Sequence, residues 1–229
     1  MSRGVELADP DVLTTAEEDA LLRGAPWRRF VVLGDSVAEG LGDEVEGYES
    51  FPWAARLARA LRRQRLDLSY KNLGERGLLA AQVRETQLGP ALAFGPDLAA
   101  VVCGGNDMLG RRFDAWAVGA EIESVVSALR EAGADVLLFT MFDITRAIEL
   151  PEPYGSRLRG RTGELRAQIL GVAKARDAML ADMAGCARSA DPDIYGTDLR
   201  HANMRGHAVA ASWAVRSLGE RLGRELEAS

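Results

Sequence analysis

The chain has 229 residues, 47% of them apolar and 27% charged, with 34 acidic against 28 basic side chains and a formal net charge of -6. That length suits one large core, and the acidic balance argues against a nucleic-acid partner, which would call for a basic footprint. No stretch reaches the ~20 apolar residues a membrane span needs, and the opening MSRGVELADP lacks an apolar secretory region, so a cytoplasmic location is the default expectation.

Residues 1–28 read as an N-terminal extension, with one short helix begun by Thr14 or Thr15 as its cap. RFVVLG (29–34) is β-branched, apolar and stopped by glycine, the mark of a buried strand. SFPWAARLARALRRQ (50–64) places Trp53, Leu57, Ala60 and Leu61 at helical spacing. Arg56, Arg59, Arg62, Arg63 and Arg65 read as its solvated face. A second strand is expected over 66–74 and a helix over 78–92, ended by the Gly-Pro pair. A third strand over 96–107 enters a glycine turn, and a long helix over 114–133 stops at Gly133. A fourth strand covers 134–142. Residues 143–162 contain prolines and arginines without clear period and are expected as a long irregular loop. A helix is then expected over 163–185, a short strand between Cys186 and Tyr195, and a closing helix over 203–226.

Strand and helix alternate throughout, which implies a parallel sheet with helices on both faces. Ligands in such sheets sit beyond the carboxyl ends of the strands. Candidate chemistry collects there. Ser36 follows Gly34 and Asp35 at the end of the first strand; it is either a nucleophile or a helix cap. That turn has neither a Walker lysine nor G-x-G-x-x-G, so a nucleotide site is a poor reading. NLGERG (72–77) follows the second strand and CGGND (103–107) the third. An asparagine amide there can face a developing oxyanion, though the same residues make good turns. Cys103 reads as a small buried hydrophobe.

His201 and His207 are the only histidines. Asp198 precedes His201 by three residues, a spacing that lets a carboxylate orient an imidazole so that its other nitrogen takes a proton from a hydroxyl. His207 falls within the closing helix and reads as a packed or capping residue. Two histidines and two cysteines offer no zinc set, so neither metal nor cofactor is expected.

GDSVAEG (34–40), NLGERG (72–77), GGND (104–107) and DLRH (198–201) come in the order of the four blocks of the SGNH hydrolases, also called GDSL-type esterases and lipases. The resemblance spans about residues 29–222 and makes 29–229 the catalytic domain. It implies a flavodoxin-like three-layer α/β/α sandwich with a five-stranded parallel sheet. It further implies Ser36 as nucleophile, His201 as general base and Asp198 as its orienting acid. The oxyanion site would comprise the Ser36 amide, Gly77 and Asn106. Gly74 is a rival to Gly77, which is preferred for its distance from Asn72. Ala202 stands where the family usually has proline, removing a restraint on that turn.

The reaction so implied is hydrolysis of a small-molecule or acylated ester through an acyl-enzyme. The same residues admit acyl transfer, and the fold admits a non-catalytic binding module. Phe142, Ile144 and Tyr154 are candidates for a substrate wall; the chain gives no reading of oligomeric state.

Overall fold

The computed structural model describes residues 4–227. Strands β1 (Arg29–Gly34), β2 (Ser69–Asn72), β3 (Leu98–Val102), β4 (Asp135–Phe139) and β5 (Met179–Ala181) form one sheet in the order β2-β1-β3-β4-β5, every pairing parallel. The helices are α1 (Gly4–Ala8), α2 (Thr15–Leu21), α3 (Ser36–Glu39), α4 (Trp53–Gln64), α5 (Ala80–Phe94), α6 (Gly105–Leu109), α7 (Ala115–Glu131), α8 (Tyr154–Ala175) and α9 (Met204–Glu227).

The alternating pleat divides each strand between two cores. Phe30, Val32, Leu98, Ala100, Val102, Leu137 and Phe139 face α4 and α9. Val31, Leu33, Ala99, Val101, Val136 and Leu138 face α5, α7 and α8. Both faces are covered, so these strands read as unbroken apolar runs. The result is a flavodoxin-like α/β/α sandwich. Its strand order reverses between β1 and β3, and α3 and α6 start at their carboxyl ends. This is the switch point at which such sheets open a crevice.

Among the described residues, the N-terminal segment holds two short helices rather than one. Thr14 caps α2, accepting from the Glu17 N–H while the Glu17 carboxylate accepts from the Thr14 N–H. Leu22, Ala25 and Trp27 continue into the core under α9 and α4.

Several expectations about the elements need correction. The α5 helix runs through Pro90 to a left-handed cap at Gly95. Proline removes one N–H donor, but Pro90 and Thr86, whose carbonyl loses that donor, are both exposed, where water can serve. The α8 helix starts at Tyr154, so 143–162 is only partly loop; a 3-10 turn covers Ile144–Arg146. Its buried face is Leu158, Thr162, Leu165, Ile169 and Val172. Thr162 interrupts that apolar period, and Gly155, Gly160 and Gly163 resemble breakers. The edge strand β5 lies inside the span expected as helix, while 186–195 forms two 3-10 turns. Three residues are too few to show an alternation, and the boundary is a left-handed Asp177 at φ 48°.

Arg56 is also not on a solvated face. It is buried against Glu6 of α1, and its guanidinium also donates to the Phe51 and Glu49 carbonyls.

Candidate active site

Ser36 sits at the first turn of α3, directly after β1. Gly34 has φ 147°, and a Cβ there would lie 1.9 Å from the Val102 carbonyl oxygen of β3. Only glycine lets the chain pass so close and turn sharply into the helix. Asp35 caps α3 by accepting from the Val37 N–H at 3.0 Å. It thus shapes the turn, and burial pushes its carboxyl up to about 6 against the pull of that N–H.

Asp198 and His201 occupy the turn between the short bridge at Tyr195 and α9. Asp198 accepts from the N–H groups of Arg200 and His201 at 2.9 and 3.0 Å, and its other oxygen lies 2.6 Å from His201 Nδ1. Burial raises the carboxyl, but those backbone donors and the imidazole outweigh it and hold it at about 2. A carboxylate only accepts, so it places the imidazole proton on Nδ1. Nε2 is then left as an acceptor, and Ser36 Oγ lies 2.7 Å from it.

The second and third strand ends reach the same place. Gly77 has φ 82° with open space on its Cβ side, and it borders the cavity beside Ser36. Gly74, the rival, faces elsewhere: a Cβ there would lie 2.3 Å from the Glu39 nitrogen, so it packs on α3. Asn106 lines the cavity and donates one amide hydrogen to the Leu78 carbonyl at 3.0 Å. The backbone N–H groups of Ser36 and Gly77 have no acceptor among the described residues.

The cavity holds about 430 Å³. Asp35, Ser36, Gly77, Asn106 and His201 border it. Its floor descends between α4, α9 and the end of β4 to Trp53, Phe139, Met183 and Ala210. Trp53 and Phe139 meet there at 4.3 Å between ring centroids. Phe142, Ile144 and Tyr154 are all on its wall. Among the described residues there is no group of acidic, histidine or cysteine side chains arranged to hold a metal, and no helix is long and apolar enough to cross a membrane.

The sequence model of the GDSL-like lipase/acylhydrolase family matches residues 32–209. The chain belongs to this family. It is accordingly a hydrolase of ester bonds. No curated protein matches it by sequence. Among solved structures, the acylhydrolase is similar to LAE5, an alpha/beta hydrolase from the metagenome of Lake Arreo, Spain, with TM-score 0.68 and 19% identity over 86% of this chain and 96% of that one. It is similar to Axe2, an acetylxylan esterase from Geobacillus stearothermophilus, with TM-score 0.68 and 18% identity over 86% and 95% of the two chains. It is likewise similar to the psychrotrophic esterase EstA from Pseudoalteromonas sp., with TM-score 0.65 and 16% identity over 86% and 99%.

Several further residues hold this candidate site together, and of these Gln87 was not singled out in the sequence. Gln87 lies on the buried face of α5 and grips Gly34 twice, accepting from its N–H at 2.8 Å and donating to its carbonyl at 2.9 Å. A polar residue on an otherwise apolar helix face was the one available hint. Asn72 donates to the Ala38 carbonyl at 2.8 Å and so ties β2 to α3. Asn203 donates to the carbonyls of Asp193 and Tyr195 at 2.8 and 3.0 Å, bracing the histidine turn from its far side. His207 is a buried pillar. Its Nδ1 accepts from the Trp53 N–H at 3.2 Å, and its Nε2 donates to the Leu41 carbonyl at 3.0 Å.

Proposed function

We propose that the protein cleaves carboxylic esters through a Ser36-His201-Asp198 triad, by way of an acyl-enzyme. The supporting observation is the unbroken path from Asp198 Oδ2 through His201 to Ser36 Oγ, with contacts of 2.6 and 2.7 Å, at the rim of a largely apolar cavity.

His201 Nε2 takes the Ser36 proton as Oγ attacks the ester carbonyl. Asp198 stabilises the imidazolium that forms and stays ionised. The tetrahedral oxyanion is met by the N–H groups of Ser36 and Gly77 and by the second amide hydrogen of Asn106. Each donor of this kind is worth ~3 kcal/mol of barrier. The imidazolium then protonates the departing alcohol oxygen, the C–O bond breaks, and Ser36 carries the acyl group. Water repeats the sequence: His201 removes its proton, the new tetrahedral species collapses, and the acid leaves as Ser36 recovers its hydrogen.

An apolar chain of the substrate fits the cavity that descends to Trp53 and Phe139, with Phe142, Ile144 and Tyr154 as its side wall. Its volume falls within the range of small-molecule sites. We therefore assign substrates with an apolar acyl or alkyl chain.

The test is Ser36→Ala with a p-nitrophenyl ester. Turnover is expected to fall by at least about a thousandfold while circular dichroism stays that of the parent protein. A fluorophosphonate probe should label the parent at Ser36 and leave the variant unlabelled. Retained turnover in the variant would sink the assignment.

A further inference from the structure

The turn that carries Asp198 and His201 is held by hydrogen bonds rather than by packing. Residues 197–200 are exposed, Leu199 sits at φ 55°, and Ala202 supplies no ring to stiffen the exit. With few apolar contacts, such a segment keeps one geometry only through its hydrogen bonds.

Besides the bonds within the turn and the Asn203 brace, the bonds that tie it to the serine loop converge on Asp43, in the loop after α3. Asp43 Oδ2 accepts from the Thr197 N–H at 2.7 Å and from the Thr197 hydroxyl at 2.8 Å. The Asp43 carbonyl accepts from the Met204 N–H at 2.9 Å, at the start of α9. One residue thus holds both ends of the segment that contains Asp198 and His201. Its approach is close on both sides. A Cβ at Gly196 would lie 3.2 Å from Asp43 Oδ2, and one at Gly42 would lie 2.3 Å from the Ala202 oxygen. The two Thr197 donors hold the Asp43 carboxyl below its ordinary range, so it accepts as a carboxylate. Asp43 lies seven residues beyond Ser36, so the same loop joins the serine to the turn of its base.

We infer that Asp43 is a positioning residue, fixing the Asp198–His201 turn in register with Ser36. The inference rests on the proposed triad. A base held loosely costs rate without weakening ground-state binding, because its contact with the serine proton counts only as the reaction proceeds.

Asp43→Ala is expected to lower kcat about tenfold with KM within about twofold. Asp43→Asn should recover most of the loss, since its amide oxygen can accept from both Thr197 donors. Thr197→Val, which removes only the hydroxyl, should show a smaller loss of the same kind. In an Asp198→Ala background, Asp43→Ala should cost nothing further, because residues acting as a unit are not additive. The inference is overturned by a kcat for Asp43→Ala within about twofold of the parent. It is equally overturned by an Asn variant as impaired as the Ala variant, or by an undiminished loss in the Asp198→Ala background. Ser36→Ala separates the two levels: if it is inactive while Asp43→Ala is unimpaired, the triad stands and only the role of Asp43 falls.

Discussion

His201 and His207 lie six residues apart and meet opposite surroundings. His201 stands on a partly exposed turn between a carboxylate and a hydroxyl. His207 is enclosed between α9 and the loop before α4, with both nitrogens committed to the backbone. Burial pushes its imidazole down to about 4, so the folded protein keeps it neutral. The linkage has a definite sign. As pH falls from about 6.5 to about 4, the unfolded chain takes up a proton that the folded one refuses, so stability is lost over that window. The loss is up to about 3 kcal/mol. Asp35 opposes it: its carboxyl, raised to about 6, holds a proton in the folded state that the unfolded chain releases. Wild type therefore has to be compared with His207→Asn. The variant should be less stable at pH 7, and its urea-unfolding free energy should decline less on acidification toward pH 4.5. Equal slopes in the two proteins would refute this account. At this scale, Ser36 and Asn106 were legible as candidates because each follows a strand end, and the Asp198–His201 pair because of its three-residue spacing. Gln87 and Asp43 were not, because an isolated polar residue looks the same whether it faces water or another chain segment.

Among the elements, the clearest strands and helices were those with long periodic runs, such as β1, α4, α7 and α9. The failures concentrate in α8 and β5. There the helical period passes through Thr162 and four glycines, and the strand is only three residues long. The early start of α8 brings Leu158 and Thr162 to the cavity wall beside Tyr154, which was already a candidate for it. The cavity floor belongs to other elements. Ala210 on α9 leaves room beside Trp53 of α4 and Phe139 of β4. Ala210→Leu is expected to fill that space and to lower kcat/KM for a long-chain ester about tenfold relative to a short-chain one, the scale of a few methylene contacts. Rates over a series of p-nitrophenyl esters check it, and an unaltered chain-length profile would place the acyl group elsewhere.

Across the whole molecule, the N-terminal segment is fastened to the sandwich by charge as well as by packing. Glu6 and Arg56 form a buried pair linking α1 to α4, and the Glu6 carboxylate also accepts from the Glu49 N–H at 2.7 Å. Arg205 of α9 meets Asp9 at 2.9 Å and Asp191 at 2.8 Å. These contacts surround the loop that runs from α3 through Asp43 to α4. Removing Glu6 leaves the buried Arg56 only the more distant Glu49 carboxylate at 4.0 Å, so Glu6→Ala should cost about 3 kcal/mol of folding stability. Chemical denaturation of the two proteins measures it; a change below about 1 kcal/mol would mean that Arg56 finds other partners at no cost. The arginine run of α4 shows why this contact was invisible beforehand. Helical period places Arg56 near a polar face, but only the return of α1 over α4 turns that position into an interior one.

The sequence by itself determined the fold class, the order of the four blocks and the residues eligible for chemistry. Each of these depends on local information: apolar period, turn-forming glycines, and the three-residue spacing of Asp198 and His201. The tertiary structure alone decided that Ser36 and His201, 165 residues apart, meet at 2.7 Å. It placed Gly77, the glycine already preferred, at the cavity, and it alone brought Asp43 and Gln87 to the turns on either side. Such distances are set by the summed packing of two helical layers on a twisted sheet, and no stretch of residues carries that sum.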